Sequence, residues 1–252
     1  MSMKLFLIIP FLFLSVFKSP AQDINAIIKE AIRLENIPNE VAAYNKFKEA
    51  LKVQPANLYS LSKISELCSR IGARETNAKA RDAWYAAALA YANKALAIAP
   101  LNDQANVSMA MVLGKSSLTK SGKEKLKSAK EIKKYVDIAI KTNPTNYLAW
   151  HILGRWNYEL SNINIMERAA AKIFFGGIPQ GSVKNAIMYF EKAKSLEPYF
   201  ILNYVELAKA YHKDEQIDKA IALMKTIQSF PLNTEDDIKL KADGLQMISN
   251  WK

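Results

Sequence analysis

One spacing of apolar positions recurs along the chain. In its full form a small residue is followed by a bulky one four positions later, a small one three after that, and a proline five further on. The copies are Ala43, Phe47, Ala50, Pro55; Ala88, Ala92, Ala95, Pro100; Ile132, Val136, Ala139, Pro144; and Ala186, Phe190, Ala193, Pro198. A fifth copy, Ala220, Met224, Ile227, meets its proline one residue early at Pro231. Offsets of four and three put the three side chains on one helix face. The small residues let a neighbouring helix approach, the bulky one fills the gap, and the proline ends the helix by removing a backbone donor. A second helix follows each proline. Its apolar positions are Leu61, Ile64, Ser65 and Cys68 after Pro55, and Met109, Ala110 and Leu113 after Pro100. After Pro144 they are Trp150, Leu153, Gly154 and Tyr158, and after Pro198 they are Tyr204, Leu207, Ala208 and Tyr211. The small member of each set marks where the two helices of a pair cross.

The pattern predicts an all-α chain of about twelve helices with no sheet. The prolines are 45, 44, 54 and 33 residues apart. The two middling steps call for longer helices or loops, around Glu75–Arg81 and Lys115–Lys123. The longest holds an insertion at residues 161–181, in which NIMERAAAKIFF reads as an extra short helix and GGIPQG as a turn. A helix at residues 23–36 precedes the first small-bulky-small helix. At the other end Thr234–Trp251 reads as a capping helix, with Thr234 and Asp237 in a near match to the capping box.

This Trp-Leu-Gly, Ala-Phe-Ala-Pro arrangement resembles the tetratricopeptide repeat (TPR), whose period is about 34 residues. The resemblance implies a solenoid of antiparallel helix pairs with an inserted helix and a C-terminal cap. A narrower likeness covers roughly residues 125–250. His151, Gly154, Trp156, Tyr158, Arg168, Ala170, Phe174, Phe175, Pro179 and Ser182, the helix with Ala186, Tyr189, Phe190, Ala193 and Pro198, and Pro231, Thr234, Glu235 and Asp236 are similar to the regulator of microtubule dynamics family. That likeness implies a TPR-like protein. Eukaryotic members are associated with microtubules, spindle poles and organelle membrane contacts. Arg168, in the inserted helix, suits a partly buried pairing that ties this helix to the repeat.

The N-terminus changes where such a protein is expected to work. Lys4 precedes the apolar stretch 5–17, and Ser19 and Ala21 place small residues before a cleavage point. The reading is a signal peptide at 1–21 with cleavage after Ala21, of a kind seen in bacteria, leaving a repeat domain at 22–252. The stretch is 13 residues long with Pro10 inside it, short of the roughly 20 that span a bilayer. The mature chain is thus expected to be exported, to the periplasm or beyond, with no transmembrane segment. A protein outside the cytoplasm has no microtubules to regulate in its own cell, so the likeness bears on the fold more than on that activity.

Composition excludes several chemistries. Cys68 is the only cysteine, so neither an internal disulfide nor a cysteine-based zinc site is available. It falls in an apolar pattern and reads as an inert core thiol. His151 and His212 lie in different repeats with no metal-ligand spacing. Gly176-Gly177 lacks the Lys-Ser/Thr of a phosphate loop and reads as a helix stop. No convergent nucleophile, base or metal set is seen, and no cofactor or enzyme activity is expected.

The formal charge of +11 falls to +9 once Lys4 and Lys18 leave with the signal peptide. Residues 115–134 hold eight lysines and two glutamates. They read either as a solvated helix face or as a surface for acidic partners. No aromatic residue is interleaved there, which argues against nucleic acid. In a TPR stack the first helix of each pair lines a concave groove. Beside Trp150, offsets of one, five, eight and nine give His151, Arg155, Tyr158 and Glu159. Beside Tyr204 they give Val205, Lys209, His212 and Lys213. Together these suggest a basic groove with aromatic edges, suited to an acidic peptide or a chain-terminal carboxylate. The expected function is that of a protein-interaction scaffold. The alternative is an adaptor that meets anionic surfaces through its lysines.

Overall fold

A computed structural model describes residues 20–117 and 122–251 of the chain. The expected leader lies outside these residues except for its last two. The described residues form twelve α-helices and no strand. They are α1 (Pro20–Asn36), α2 (Glu40–Val53), α3 (Leu58–Arg74), α4 (Ala78–Ile98), α5 (Asp103–Ser117), α6 (Gly122–Thr142), α7 (Tyr147–Ser161), α8 (Ile165–Phe175), α9 (Val183–Leu196), α10 (Ile201–Lys213), α11 (Ile217–Thr226) and α12 (Asp237–Asn250). A 3-10 turn, Ile227–Ser229, follows α11. The main pairs are α1 with α2, α3 with α4, α5 with α6, α7 with α9 and α10 with α11. Helix α8 is the insertion, and α12 closes the end by packing on α10 and α11. The 45- and 44-residue steps are absorbed by the second helices α4 and α6, each 21 residues long.

All fifteen small-bulky-small positions are buried, from Ala43 and Phe47 to Met224 and Ile227. The crossing between α7 and α9 shows why Gly154 stands where it does. A Cβ built there would lie 2.6 Å from Cδ1 of Phe190, inside any tolerable contact. In α3 the small residue is Ser65, whose hydroxyl donates to the Ala88 carbonyl of α4 at 2.9 Å.

The turns share a second device. Pro55, Pro100 and Pro144 are each followed two residues later by an asparagine, Asn57, Asn102 and Asn146. Each side chain accepts the backbone N–H three positions on, at 2.9 to 3.2 Å. The proline ends one helix and the asparagine caps the next, which fixes both ends of a short turn. The inserted helix is built the same way. Asn164 and Glu167 form a full capping box, and Gly176 ends the helix in the left-handed region at φ 73°, where a side chain would be strained. Arg168 donates to the Pro179 carbonyl at 3.3 Å and to the Leu160 carbonyl, joining α8 to the end of α7. Trp156 donates to the Ala129 carbonyl at 2.8 Å, fixing α7 against α6.

At the C-terminal cap the structure corrects the sequence reading. Helix α12 begins at Asp237, not at Thr234. The Asp237 carboxylate, buried, accepts the backbone N–H of Asn233 and of Thr234 and the Thr234 hydroxyl, at 2.7 to 2.8 Å. The acidic side chain thus organises the loop ahead of the helix, where a glutamate three residues into the helix would have reached back from within.

That loop joins the two ends of the solenoid. Glu235 accepts the backbone N–H of Glu40 at 2.7 Å. Arg74, at the end of α3, reaches Glu235 at 3.1 Å and Asp236 at 3.4 Å. The last turn of the coil therefore touches the first.

Candidate functional site

The curled stack encloses a concave cleft of about 1010 Å³. First helices of successive pairs supply much of its wall: Glu35 from α1, Lys63, Glu66 and Arg70 from α3, Met111 and Lys115 from α5, and Tyr147, His151, Arg155 and Glu159 from α7. Phe200 and Ile201 at the start of α10 and the loop residues Asn233, Thr234 and Asp236 complete it.

The charges in the wall fall into two sets. On the α1–α3 side they neutralise one another. Glu35 meets Lys63 at 2.9 Å and Arg70 at 2.8 Å. Glu40, fully buried, meets Arg70 at 2.9 Å and Arg74 at 2.5 Å. Glu66 meets Lys63 at 3.6 Å and accepts from Gln104. Burial works to raise the Glu35 carboxyl, but the charges of Lys63 and Arg70 outweigh it and hold it below the usual range. At Glu66 burial wins and the carboxyl is raised. Lys63 is held well above its ordinary value because Glu66 and Glu35 overcome its own burial.

On the α5–α7 side the cations stand open. Lys115 has neither an ion pair nor a hydrogen bond among the described residues. Burial, and then the charge of Arg155, lower its pKa. Arg155 has only long pairs, 3.6 Å to Glu159 and 3.8 Å to Glu206. Glu206 is taken at shorter range by Lys209, at 3.0 Å.

The seven side chains expected to share a groove are not all brought together. His151, Arg155 and Glu159 line the cleft. His151 is 4% exposed and serves the packing. Its Nδ1 lies 3.0 Å from Asn203 Oδ1, and Asn203 donates to the Phe190 carbonyl. With the amide oxygen thus turned to the imidazole, Nδ1–H is the donor. Burial pushes the ring's pKa down to about 4, so it is neutral at pH 7. Tyr158, Lys209, His212 and Lys213 are not among the cleft residues. His212 stacks on Trp251, the residue after α12, at 4.6 Å. Lys213 donates to the Ser161 carbonyl and to Asn162, and lies over the Tyr158 ring at 5.5 Å. The offsets assume that the wall continues past α10; instead Lys209 pairs with Glu206 of its own helix, and the cap and the end of α7 occupy His212 and Lys213.

The cleft residues the sequence reading missed follow its own rule. Positions one and five after the small crossing residue are Arg155 and Glu159 in α7. The same step from Ser65 gives Glu66 and Arg70, and from Ala110 it gives Met111 and Lys115. All four line the cleft. Lys115 is hidden in the lysine-rich stretch by its neighbours in sequence. Cys68 is fully buried, and burial pushes its thiol up to about 12.

Paired helices, small-residue crossings and a concave cleft lined by first helices define a TPR-like α-solenoid. Among solved structures, a thermophilic TPR protein of Thermus thermophilus superposes with a TM-score of 0.64 at 15% identity, over 90% of this chain and 99% of that one. The type IV pilus biogenesis factor PilW gives 0.53 at 20% identity, over 91% and 90%. Within this class the chain belongs to the regulator of microtubule dynamics protein 1-3 family, whose profile matches residues 27–252. Regulator of microtubule dynamics protein 1 of Mus musculus is 26% identical over 163 residues, 64% of this chain and 53% of that protein. Protein 2 of Homo sapiens is 28% identical over 160 residues, 63% and 39%. The aligned region thus spans about half or less of these relatives.

Proposed function

We propose that the chain is a non-catalytic scaffold of the TPR type that holds an acidic peptide or protein segment in its concave cleft. The observation that carries this reading is the open pair of cations, Lys115 and Arg155, in a cleft whose other buried cations, Lys63 and Arg70, are matched by carboxylates. A ligand carboxylate there gains charge-assisted hydrogen bonds without breaking a short pair of either cation. Aromatic and aliphatic wall residues such as Tyr147, Ile152 and Phe200 offer apolar contact beside it. The proposed setting is outside the cytoplasm, on the strength of the leader-like residues 1–21. The microtubule activity in the relatives' names is not carried over.

The test is capture of a defined acidic peptide and of envelope proteins by the wild type and by Arg155→Glu. Loss in the variant, with melting unchanged, supports the reading. Equal capture by both removes it.

A second reading has a separate observation behind it. Lys125, Lys127, Lys130 and Lys134 of α6 are exposed, and α8 leaves Ile165, Met166 and Ile173 at 86%, 83% and 78% exposure. Binding to anionic vesicles that falls steeply with salt, and is indifferent to Arg155→Glu, marks that alternative.

A further inference from the structure

The acidic loop that closes the solenoid has the same chemistry as the ligand proposed for the cleft. Residues 234–237 read Thr-Glu-Asp-Asp. Asp237 is spent on holding the loop in shape. Glu235 and Asp236 project from that shape onto Arg74 at 3.1 and 3.4 Å, and Glu235 also takes the Glu40 amide. Asn233, Thr234 and Asp236 line the cleft itself. Asp236 also acts on Lys115, opposing the lowering of its pKa by Arg155 and Arg70, as does Glu206 from α10. The loop therefore sets two carboxylates on Arg74 and places Asp236 in the cleft lining, where an acidic segment from outside would compete.

We infer that the segment Glu235–Asp236 is an intramolecular stand-in for the acidic ligand, which must be displaced from Arg74 for a partner segment to occupy the cleft fully. The inference rests on the reading of the cleft as a site for acidic peptides. The contacts that hold the loop suit such exchange. Its two acidic side chains are each about a third exposed, 33% and 34%, so solvent screens their pairs with Arg74. One backbone amide, that of Glu40, reports directly on whether Glu235 is in place. Because a closed fraction lowers apparent affinity in proportion, opening the loop tightens binding.

The experiment uses the full chain and two fluorescein-labelled, amidated octapeptides, one alternating Leu and Glu, the other Leu and Gln. Binding is read by anisotropy. Glu235→Gln with Asp236→Asn is expected to bind the Leu/Glu peptide about tenfold tighter than wild type. The Leu/Gln peptide should gain far less. Asp137→Asn with Asp218→Asn changes the net charge equally at exposed sites outside the cleft lining, and its affinity should match wild type. In wild type, hydrogen exchange at the Glu40 amide should speed up on adding the Leu/Glu peptide. An affinity in the loop variant equal to or weaker than wild type, or equal to that of the charge-matched control, overturns the inference while leaving the cleft reading standing. So does a Glu40 amide whose exchange is unchanged at saturation. If the Leu/Glu peptide binds neither wild type nor the loop variant, the cleft reading fails and the inference with it.

Discussion

The two walls of the cleft are built by the same rule and end in opposite electrostatic states. On the α1–α3 wall, Glu35 and Glu66 meet Lys63 and Arg70, and Glu40 and Arg74 extend the network behind it. On the α5–α7 wall, Lys115 and Arg155 face the same space without a short ion pair. Burying an ion pair costs desolvation that its attraction barely offsets, so the network adds little net stability; removing one partner exposes the full penalty. A part-buried cation without a short ion pair has the reverse profile: little of the fold rests on it, and it is available to something else. One wall therefore reads as architecture and the other as a site.

Four substitutions probe that contrast, the largest effect first. Gly154→Leu forces a side chain into the Phe190 ring and should destabilise the chain by about 3 kcal/mol or more, seen as a large fall in melting temperature. It removes the crossing that sets α7, and with it the open wall. A wild-type melting point would mean that Arg155 is not positioned by that crossing. Arg70→Ala breaks the paired wall. Glu35 keeps Lys63 and Glu40 keeps Arg74, so the loss should sit near the low end of the range for a broken buried pair, about 3 kcal/mol, by denaturant unfolding.

His151 gives a pH signature. Its folded pKa, about 4, lies below its ordinary 6.5, so the unfolded chain takes up a proton in that window and the folded one does not. Stability is full above pH 6.5 and is lost as pH falls toward 4, by up to about 3 kcal/mol. Arg155, Lys115, Glu206 and the Asn203 amide are the groups that act on the ring. Glu35, with its lowered carboxyl, loses its contribution only at lower pH, and Glu66, with a raised one, works in the opposite sense. His151→Gln should flatten the upper part of the window; an unchanged slope would assign the acid sensitivity to the carboxylates. The smallest effect is Lys115→Gln, expected to move stability by no more than about 0.5 kcal/mol while weakening acidic-peptide binding. A loss as large as that of Arg70→Ala would erase the distinction between the walls.

The pairing of helices was legible because periodicity fixes a buried face without reference to anything distant. Ala186, Phe190 and Ala193 point inward whatever packs on them, and Gly154 marks its crossing by lacking a side chain. Helix α8 was legible from its glycine stop at Gly176-Gly177. The network was not, since Glu35 meets Arg70 across 35 residues and only the curl of the stack brings them together. Even so, Lys63, Glu66, Arg70 and Arg74 stand at steps of three, four and four along α3, a charged stripe visible in the sequence. Lys209, His212 and Lys213 went astray for another reason. They obey the groove offsets, but in the last repeat Glu206 takes Lys209, Trp251 stacks on His212, and the end of α7 takes Lys213.

The contact between the Glu40 amide and Glu235 has an evolutionary side. Solenoids usually lengthen or shorten by duplicating or losing a helix pair, because each repeat answers only to its neighbours. A coil clipped at both ends loses that freedom. One more pair, or one fewer, would rotate the acidic loop away from Arg74 and leave its partners unmatched. The clip thus fixes the number of repeats that can close, and this chain departs from the regular repeat in helix length and insertion, as in α4, α6 and α8.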